Sequence, residues 1–385
     1  MPLRPHQTDA LDAMATNMKG QIIVPTGGGK TMCMIEDAKR SGGTIVVVAP
    51  RILLAEQLSS EFLEQIDNVS VMHVHSGETS HYSSTKIEDI YFWHKYTRGN
   101  KIIFTTYHSL DKVKRSTIDV DTIYFDEAHN SVQRNFFPAV EHFATDWSNR
   151  CFFFTATPKH SLTPFKAGMN HTKVYGQVIA SVPAPKLVDE GYILPPKVEV
   201  YKSRLLRKDE IYADVESEQM LNAIDRLEVD KVLICAKSTK QITGLTSQSD
   251  FCYELNVRGY NWMYITAKTG AIINGKKVGR DQFFETLNAW GKDDDKKFVV
   301  LHHSILAEGI NVKGLEAALF MRNMDYITIS QTIGRVIRLG NAKKTHGKVC
   351  VPVYNNVGIS TARRVEAVVD TVFNRGEPAI SVVTR

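Results

Sequence analysis

Two short stretches of this 385-residue chain combine residue types that can do chemistry. The first, Val24-Pro25-Thr26-Gly27-Gly28-Gly29-Lys30-Thr31, has the make-up of an anion cradle. Small residues let consecutive backbone N–H groups turn inward, and the following helix offers its N-terminus to the same anion. In such a loop Thr26, Gly27, Gly28 and Gly29 shape the cradle, Lys30 reaches the β- and γ-phosphates, and the Thr31 hydroxyl ligates Mg2+. The strict pattern asks for glycine where Val24 stands, so the loop does not satisfy it alone. The second stretch, Asp126-Glu127-Ala128-His129, follows the apolar run Ile123-Tyr124-Phe125 and reads as a buried strand ending in carboxylates. Asp126 can hold the metal while Glu127 orients and deprotonates water. Loop and acidic strand end together predict hydrolysis of ATP with Mg2+.

These residues need a frame that brings them together. From residue 1 to 180, apolar runs at Gln21–Val24, Thr44–Val48, Lys101–Thr105, Thr122–Phe125 and Cys151–Phe154 alternate with helix-length stretches. Strands without polar alternation indicate a parallel sheet covered on both faces, with ligands beyond the carboxyl ends of the strands. The prolines of Ser181-Val182-Pro183-Ala184-Pro185 and Leu194-Pro195-Pro196 suggest a linker over 181–196. A second block over 197–350 holds runs at Lys231–Cys235, Trp262–Ile265, Phe298–Leu301, Ala317–Phe320 and Lys348–Val353, with a helical pattern at Gln282–Trp290. A tail over 351–385 contains one expected helix, Thr361–Phe373. The expected fold is α/β: two similar layers forming a cleft, only the first with a phosphate loop.

Composition narrows the class. With 43% hydrophobic and 23% charged residues the chain has material for two cores. A net charge of +5 permits nucleic-acid binding without arguing for it. Cys33, Cys151, Cys235, Cys252 and Cys350 share no Cys-x-x-Cys spacing and read as reduced core thiols. No apolar signal region or membrane-length run is visible, so a cytoplasmic location with no membrane partner is expected.

In order along residues 3 to about 340, at least seven stretches resemble the motifs of a superfamily 2 helicase of the DEAH type. The likeness is greatest to phage recombination and repair DNA helicases (UvsW-like) and to the translocase subunits of restriction enzymes. It implies two tandem RecA-like domains with ATP and nucleic acid between them. Leu3-Arg4-Pro5-His6-Gln7 resembles the adenine-recognition segment, where the Gln7 amide would read the adenine edge and Arg4 would stack on the ring. Val48-Ala49-Pro50-Arg51 and Thr105-Thr106-Tyr107-His108-Ser109-Leu110 are similar to motifs that grip the nucleic-acid backbone, implicating Pro50, Arg51, Thr105 and Thr106. Thr155-Ala156-Thr157-Pro158 is similar to the motif that couples hydrolysis to domain movement, through Thr155 and Thr157.

In the second block, Val232-Leu233-Ile234-Cys235-Ala236-Lys237-Ser238 resembles a strand and loop facing nucleic acid, implicating Lys237 and Ser238. Ile305-Leu306-Ala307-Glu308-Gly309-Ile310-Asn311-Val312 resembles the motif bridging ATP and the strand, with Gly309 and Asn311 on the nucleotide. Many members carry Asp where Asn311 stands; an amide still bonds a ribose hydroxyl but brings no charge. Gln331-Thr332-Ile333-Gly334-Arg335-Val336-Ile337-Arg338 is the most specific feature outside the loop. Arg335 and Arg338, three apart, would share one helix face and reach the γ-phosphate, while Gln331 would pair with His129.

The resemblance implies an ATP-dependent DNA helicase or translocase acting on branched, forked or duplex DNA, most simply as a monomer. An RNA helicase and a duplex motor that separates no strands are the alternatives. His73 and His75 alternate on one strand face, but no third ligand is near in sequence, so no zinc role is expected. No Gly-x-Ser-x-Gly elbow supports acyl transfer.

Overall fold

The computed structural model describes residues 2–202, 211–266, 268–303, 312, 314–340, 344–354 and 356–383. The chain divides into two compact units, Met1–Pro183 with Pro378–Arg385, and Ala184–Glu377. The boundary falls inside the proline-rich segment, part of which is helical, and the C-terminal residues from Pro378 belong to the first unit.

The first unit contains β1 (Lys19–Ile23), β2 (Thr44–Ala49), β3 (Ser70–Val74), β4 (Tyr82–Ser83), β5 (Lys101–Thr106), β6 (Val120–Phe125), β7 (Ser148–Thr155), β8 (Lys159–His160) and β9 (Val178–Ser181). Its helices are α1 (Pro5–Thr16), α2 (Lys30–Ser41), α3 (Ile52–Leu63), α4 (Ile87–Tyr96), α5 (Leu110–Arg115), α6 (Phe137–His142) and α7 (Thr172–Tyr175). The sheet runs β4-β3-β5-β2-β6-β7-β1-β9, and all its pairings are parallel. Every residue of β2 is buried, as expected for a central strand covered by helices on both faces. On one face Val46, Ile103, Ile123, Phe125 and Phe153 form a continuous core, with Phe125 and Phe153 stacked 4.9 Å apart. The short β8 pairs with a strand from the C-terminal residues.

The opposite face of this sheet holds a polar knot. Asp37, buried on α2, receives both arms of the Arg150 guanidinium, at 2.7 and 3.0 Å, and the Tyr124 hydroxyl donates to the same carboxylate. Because Tyr124 lies on β6 and Arg150 on β7, the knot fixes the helix after the phosphate loop to two strands. Removing one partner of a buried charge pair leaves the other uncompensated, which costs about 3–5 kcal/mol. Asp37→Ala is therefore expected to lower the urea unfolding midpoint of this unit markedly, whereas Asp37→Asn should lose less.

The second unit contains α8 (Ala184–Asp189), β10 (Pro196–Lys202), α9 (Tyr212–Leu227), β11 (Lys231–Cys235), α10 (Thr239–Ser247), α11 (Phe251–Val257), β12 (Asn261–Thr266), β13 (Gly270–Ile273) and β14 (Lys276–Val278). It continues with α12 (Arg280–Lys292), β15 (Phe298–His302), β16 (Ala317–Phe320), α13 (Tyr326–Val336), β17 (Gly347–Val353) and α14 (Asn356–Val369); β18 (Ser381–Val382) is the C-terminal strand that pairs with β8 in the first unit's sheet system. The order is β10-β17-β16-β11-β15-β12-β13-β14. Pairing is parallel from β10 to β12, and β13 and β14 add an antiparallel edge. Two tandem α/β domains result, as the alternating runs predict, with the RecA-like fold that the resemblance implies. The helix expected at Gln282–Trp290 is α12, and the one expected at Thr361–Phe373 begins earlier, as α14.

Candidate active site

The chemistry-bearing residues of the first unit meet at one edge of its sheet. Its strands are parallel, so Val24, Pro50, Asp126 and Ala156 each directly follow a strand's carboxyl end. β7 lies between β1 and β6, which sets the phosphate loop and the acidic strand end two strands apart. Lys30 Nζ lies 3.5 Å from Glu127 Oε1, and both side chains are largely shielded from solvent. Two stretches far apart in sequence thus form one cluster.

The loop's shape follows from its glycines. Gly27 and Gly29 both take φ of 86°, a left-handed conformation that side chains avoid, and Gly29 is the N-cap of α2. Three residues of the N-terminal segment then fix the peptide planes. Arg4 Nη1 donates to the Gly27 carbonyl at 3.2 Å, His6 Nε2 to that of Gly28 at 2.7 Å, and Gln7 Nε2 to that of Gly29 at 3.2 Å. Holding these carbonyls towards α1 leaves the opposite edges of the peptides, the N–H groups, to face an anion. His6 is the residue that sequence reasoning passed over. Its buried ring and its place between Arg4 and Gln7 are the only signals that could have marked it.

Arg4 and Gln7, which the resemblance assigns to adenine, brace the loop in this structure. The Gln7 Oε1 also accepts from Arg4 N–H at 2.9 Å, so both ends of the amide are engaged within the first unit.

At the acidic end, Glu127 adopts φ 44° and ψ 53°, unusual for a residue with a side chain. Such strain, of order 1–3 kcal/mol, persists where the surroundings over-determine it and gathers at functional sites. Glu127 Oε2 lies 3.5 Å from His129 Nδ1. The same nitrogen lies 3.1 Å from Thr155 Oγ1 and 3.3 Å from Thr157 Oγ1, and Thr157 N–H donates to Thr155 Oγ1. Thr155 and Thr157 are fully buried. One imidazole thus lies between the Glu127 carboxylate and the hydroxyls of Thr155 and Thr157, at and just beyond the end of β7.

Asp126 is buried, and its carboxyl is pushed up to about 7, first by burial and then by the Glu127 charge, with Lys30 opposing. A buried carboxylate and the Thr31 hydroxyl at the start of α2 are hard oxygen donors of the kind that suits Mg2+. Without the metal the ionised form is unfavourable. A carboxyl raised from its usual 3.8 to about 7 binds its proton longer when folded, so its contribution to stability falls as pH rises between those values and is level above them. In Mg2+-free buffer at pH ~8, Asp126→Asn is thus expected to raise the thermal unfolding midpoint, by about 1–3 kcal/mol, and to lose that advantage near pH ~4. Equal midpoints at both pH values would remove this account.

The backbone-gripping residues divide. Arg51 is exposed at the N-cap of α3, while Pro50 is buried beside it. Thr105, expected on a nucleic-acid phosphate, is fully buried and its hydroxyl donates to the Val74 carbonyl at 2.9 Å, so it joins β5 to β3 instead. Thr106 is buried at the end of β5.

In the second unit Lys237 is exposed after β11, and the Ser238 hydroxyl caps α10 by accepting from Gln241 N–H at 3.2 Å. Gly309 and Asn311 lie outside the described residues. Gln331 and Arg335 are buried on α13, whose N-terminus is capped by Asp325. The positive charge of Arg335 is felt at Cys235 and His302, the last residues of β11 and β15. Arg338 does not share its helix turn: α13 stops at Val336 and Ile337 is the C-cap. The expectation of two arginines on one helix face is corrected accordingly, and the reason is local. The last helical hydrogen bond runs from Ile337 N–H to the Ile333 carbonyl, and the Arg338 carbonyl accepts from Lys344 Nζ at 2.6 Å instead of from a helix amide.

Residues 1–160 match the family model described as Type III restriction enzyme, res subunit. That span holds the phosphate loop, the acidic strand end and the Thr155–Pro158 loop. No curated protein matches the chain. Among solved structures, the ATP-dependent Type ISP restriction-modification enzyme LlaBIII bound to DNA is similar over 100% of this chain and 31% of its own, with a TM-score of 0.76 and 16% identity. A nuclease-deletion mutant of the Type ISP enzyme LlaGI in complex with a DNA substrate mimic is similar over 99% of this chain and 30% of its own, with a TM-score of 0.67 and 19% identity. A fragment of a putative HsdR subunit of a type I restriction enzyme from Vibrio vulnificus YJ016 is similar over 98% and 67%, with a TM-score of 0.62 and 12% identity. The chain spans about a third of the first two, and at these identities the likeness shows a shared fold. No helix among the described residues is long and apolar enough to cross a membrane.

Proposed function

We propose that this chain is an ATP-driven DNA motor of helicase superfamily 2, a translocase or helicase that hydrolyses ATP with Mg2+. The observation that carries the proposal is the joining of the phosphate loop and the acidic strand end through the 3.5 Å approach of Lys30 to Glu127. Lys30 neutralises phosphate charge, the loop N–H groups hold the β- and γ-oxygens, and Asp126 with Thr31 would hold the metal. Mg2+ supplies charge neutralisation at the phosphates when bound. Glu127 takes the proton of the attacking water, and His129 relays its state to Thr155 and Thr157.

In the second RecA-like domain we assign Arg335, with Gln331 and Arg338 in support, to the γ-phosphate, and Gly309 and Asn311 to the nucleotide, as the resemblance implies. Hydrolysis is then coupled to movement along the strand. Arg51, Lys237 and Ser238 are the residues we assign to backbone phosphates, and such contacts carry no base information. DNA is favoured over RNA because two structurally similar enzymes are described as bound to DNA or to a DNA substrate mimic. Branched or forked DNA is the substrate to test first.

The test is ATPase turnover with single-stranded, duplex and forked DNA and with RNA, alongside strand displacement on the fork. DNA is expected to stimulate turnover, and Lys30→Ala to reduce it at least about 10²-fold. Stimulation by RNA alone would overturn the DNA assignment. Turnover on duplex without displacement would identify a translocase that leaves strands paired.

A further inference from the structure

On the side of the first unit's sheet away from the phosphate loop, β3 and α3 bring three ligating side chains together. His73 lies on β3 and His75 directly follows its last residue, two positions on, with the two rings in contact. Glu56 reaches them from α3. His73 Nδ1 and His75 Nε2 are 2.9 Å apart, and Glu56 Oε1 lies 3.0 Å from each. That oxygen is buried, and the three ligand atoms lie close enough to one another to share a single cation.

We propose that Glu56, His73 and His75 form a binding site for a divalent first-row transition ion, with Zn2+ as the ion to try first. Three donors with these separations lie on a circle of about 1.7 Å radius, so an ion about 2.1 Å from each sits roughly 1.2 Å off their plane. Two imidazole nitrogens and one carboxylate oxygen on one face leave further coordination positions for other ligands. Both imidazoles are buried and held neutral, His73 down to about 3, which is the form a metal needs.

The surroundings fit. His73 Nε2 lies 3.0 Å from the Ser59 hydroxyl, one turn beyond Glu56 on α3, which orients the ring with Nδ1 towards the site. The other Glu56 oxygen accepts from Thr79 at 3.1 Å. His81 stacks on His73, 5.2 Å away and within 7° of parallel, closing one side. One contact has to be given up: Gly77 N–H approaches His75 Nδ1 at 3.3 Å, the atom that carries the proton once Nε2 binds an ion. Such a site would tie β3 to α3, the helix that opens with Arg51.

This inference is independent of the ATP site, and its readouts are separate. The full-length chain, free of any histidine tag, is stripped with chelator and titrated with Zn2+ and with Co2+ in the presence of Mg2+. Expected are binding of about one ion per chain, visible absorption bands with Co2+, and a rise of about 5 °C in unfolding midpoint at saturating Zn2+. His75→Gln and Glu56→Gln, checked for folding by circular dichroism, should lose the absorption bands and most of the shift. Ser59→Ala, which keeps all three ligands, should weaken affinity about 10-fold or more. No Co2+ bands in the native chain, or bands that survive both ligand substitutions, would overturn the site. A purely hydrogen-bonded triad would show neither binding nor shift.

Discussion

Glu127→Gln is expected to bind ATP as tightly as the native chain and to hydrolyse it at least about 100-fold more slowly. The amide keeps the size of the side chain and its strained backbone, but it cannot take a proton from water. Because Glu127 also faces Lys30 at 3.5 Å, the substitution removes one negative charge beside the phosphate site and so should not weaken nucleotide binding. The measurement is single-turnover hydrolysis together with equilibrium binding of labelled ATP. Unaltered turnover would remove Glu127 from the role of base. The same variant should trap the chain on DNA, since the step that releases the strand follows hydrolysis.

Arg335→Ala is expected to lower kcat by about 10³-fold or more while ATP binding changes only a few-fold. A guanidinium aimed at the γ-phosphate acts on charge that develops in the transition state, so its loss appears in kcat rather than in binding. Arg335 is buried at the strand ends of the second unit, whereas Arg338 lies past the end of α13. Arg338→Ala is accordingly expected to cost less than Arg335→Ala. Lysine in place of Arg335 should restore little, because a point charge does not reproduce the planar fork. Loss of ATP binding in step with kcat would mean that the arginine holds the ground state instead.

Much of this was legible in the sequence because it is local. The strands Lys231–Cys235 and Ala317–Phe320 fall where the apolar runs predict them, since a strand buried on both faces is an uninterrupted apolar segment. The phosphate loop is readable because its function needs adjacent glycines, a lysine and a hydroxyl in one turn. The acidic strand end is readable because carboxylates directly after an apolar run have few structural uses.

What only the tertiary structure decided depends on residues remote in sequence or on the last turn of an element. Arg150 meets Asp37 across 113 positions, and no spacing rule links them. Thr105 sits at a strand end like other site residues, yet the pleat turns its hydroxyl to Val74, a matter of register rather than composition. Arg4, His6 and Gln7 meet the glycine carbonyls more than twenty positions away because α1 packs against α2. Glu56 meets His73 and His75 from a helix that precedes them in the chain, a convergence that no spacing shows. Sequence determined which chemistry the chain carries, because residue type and short-range spacing set it. Packing decided which of those groups face a ligand and which face the core, because burial and direction belong to the assembled sheet.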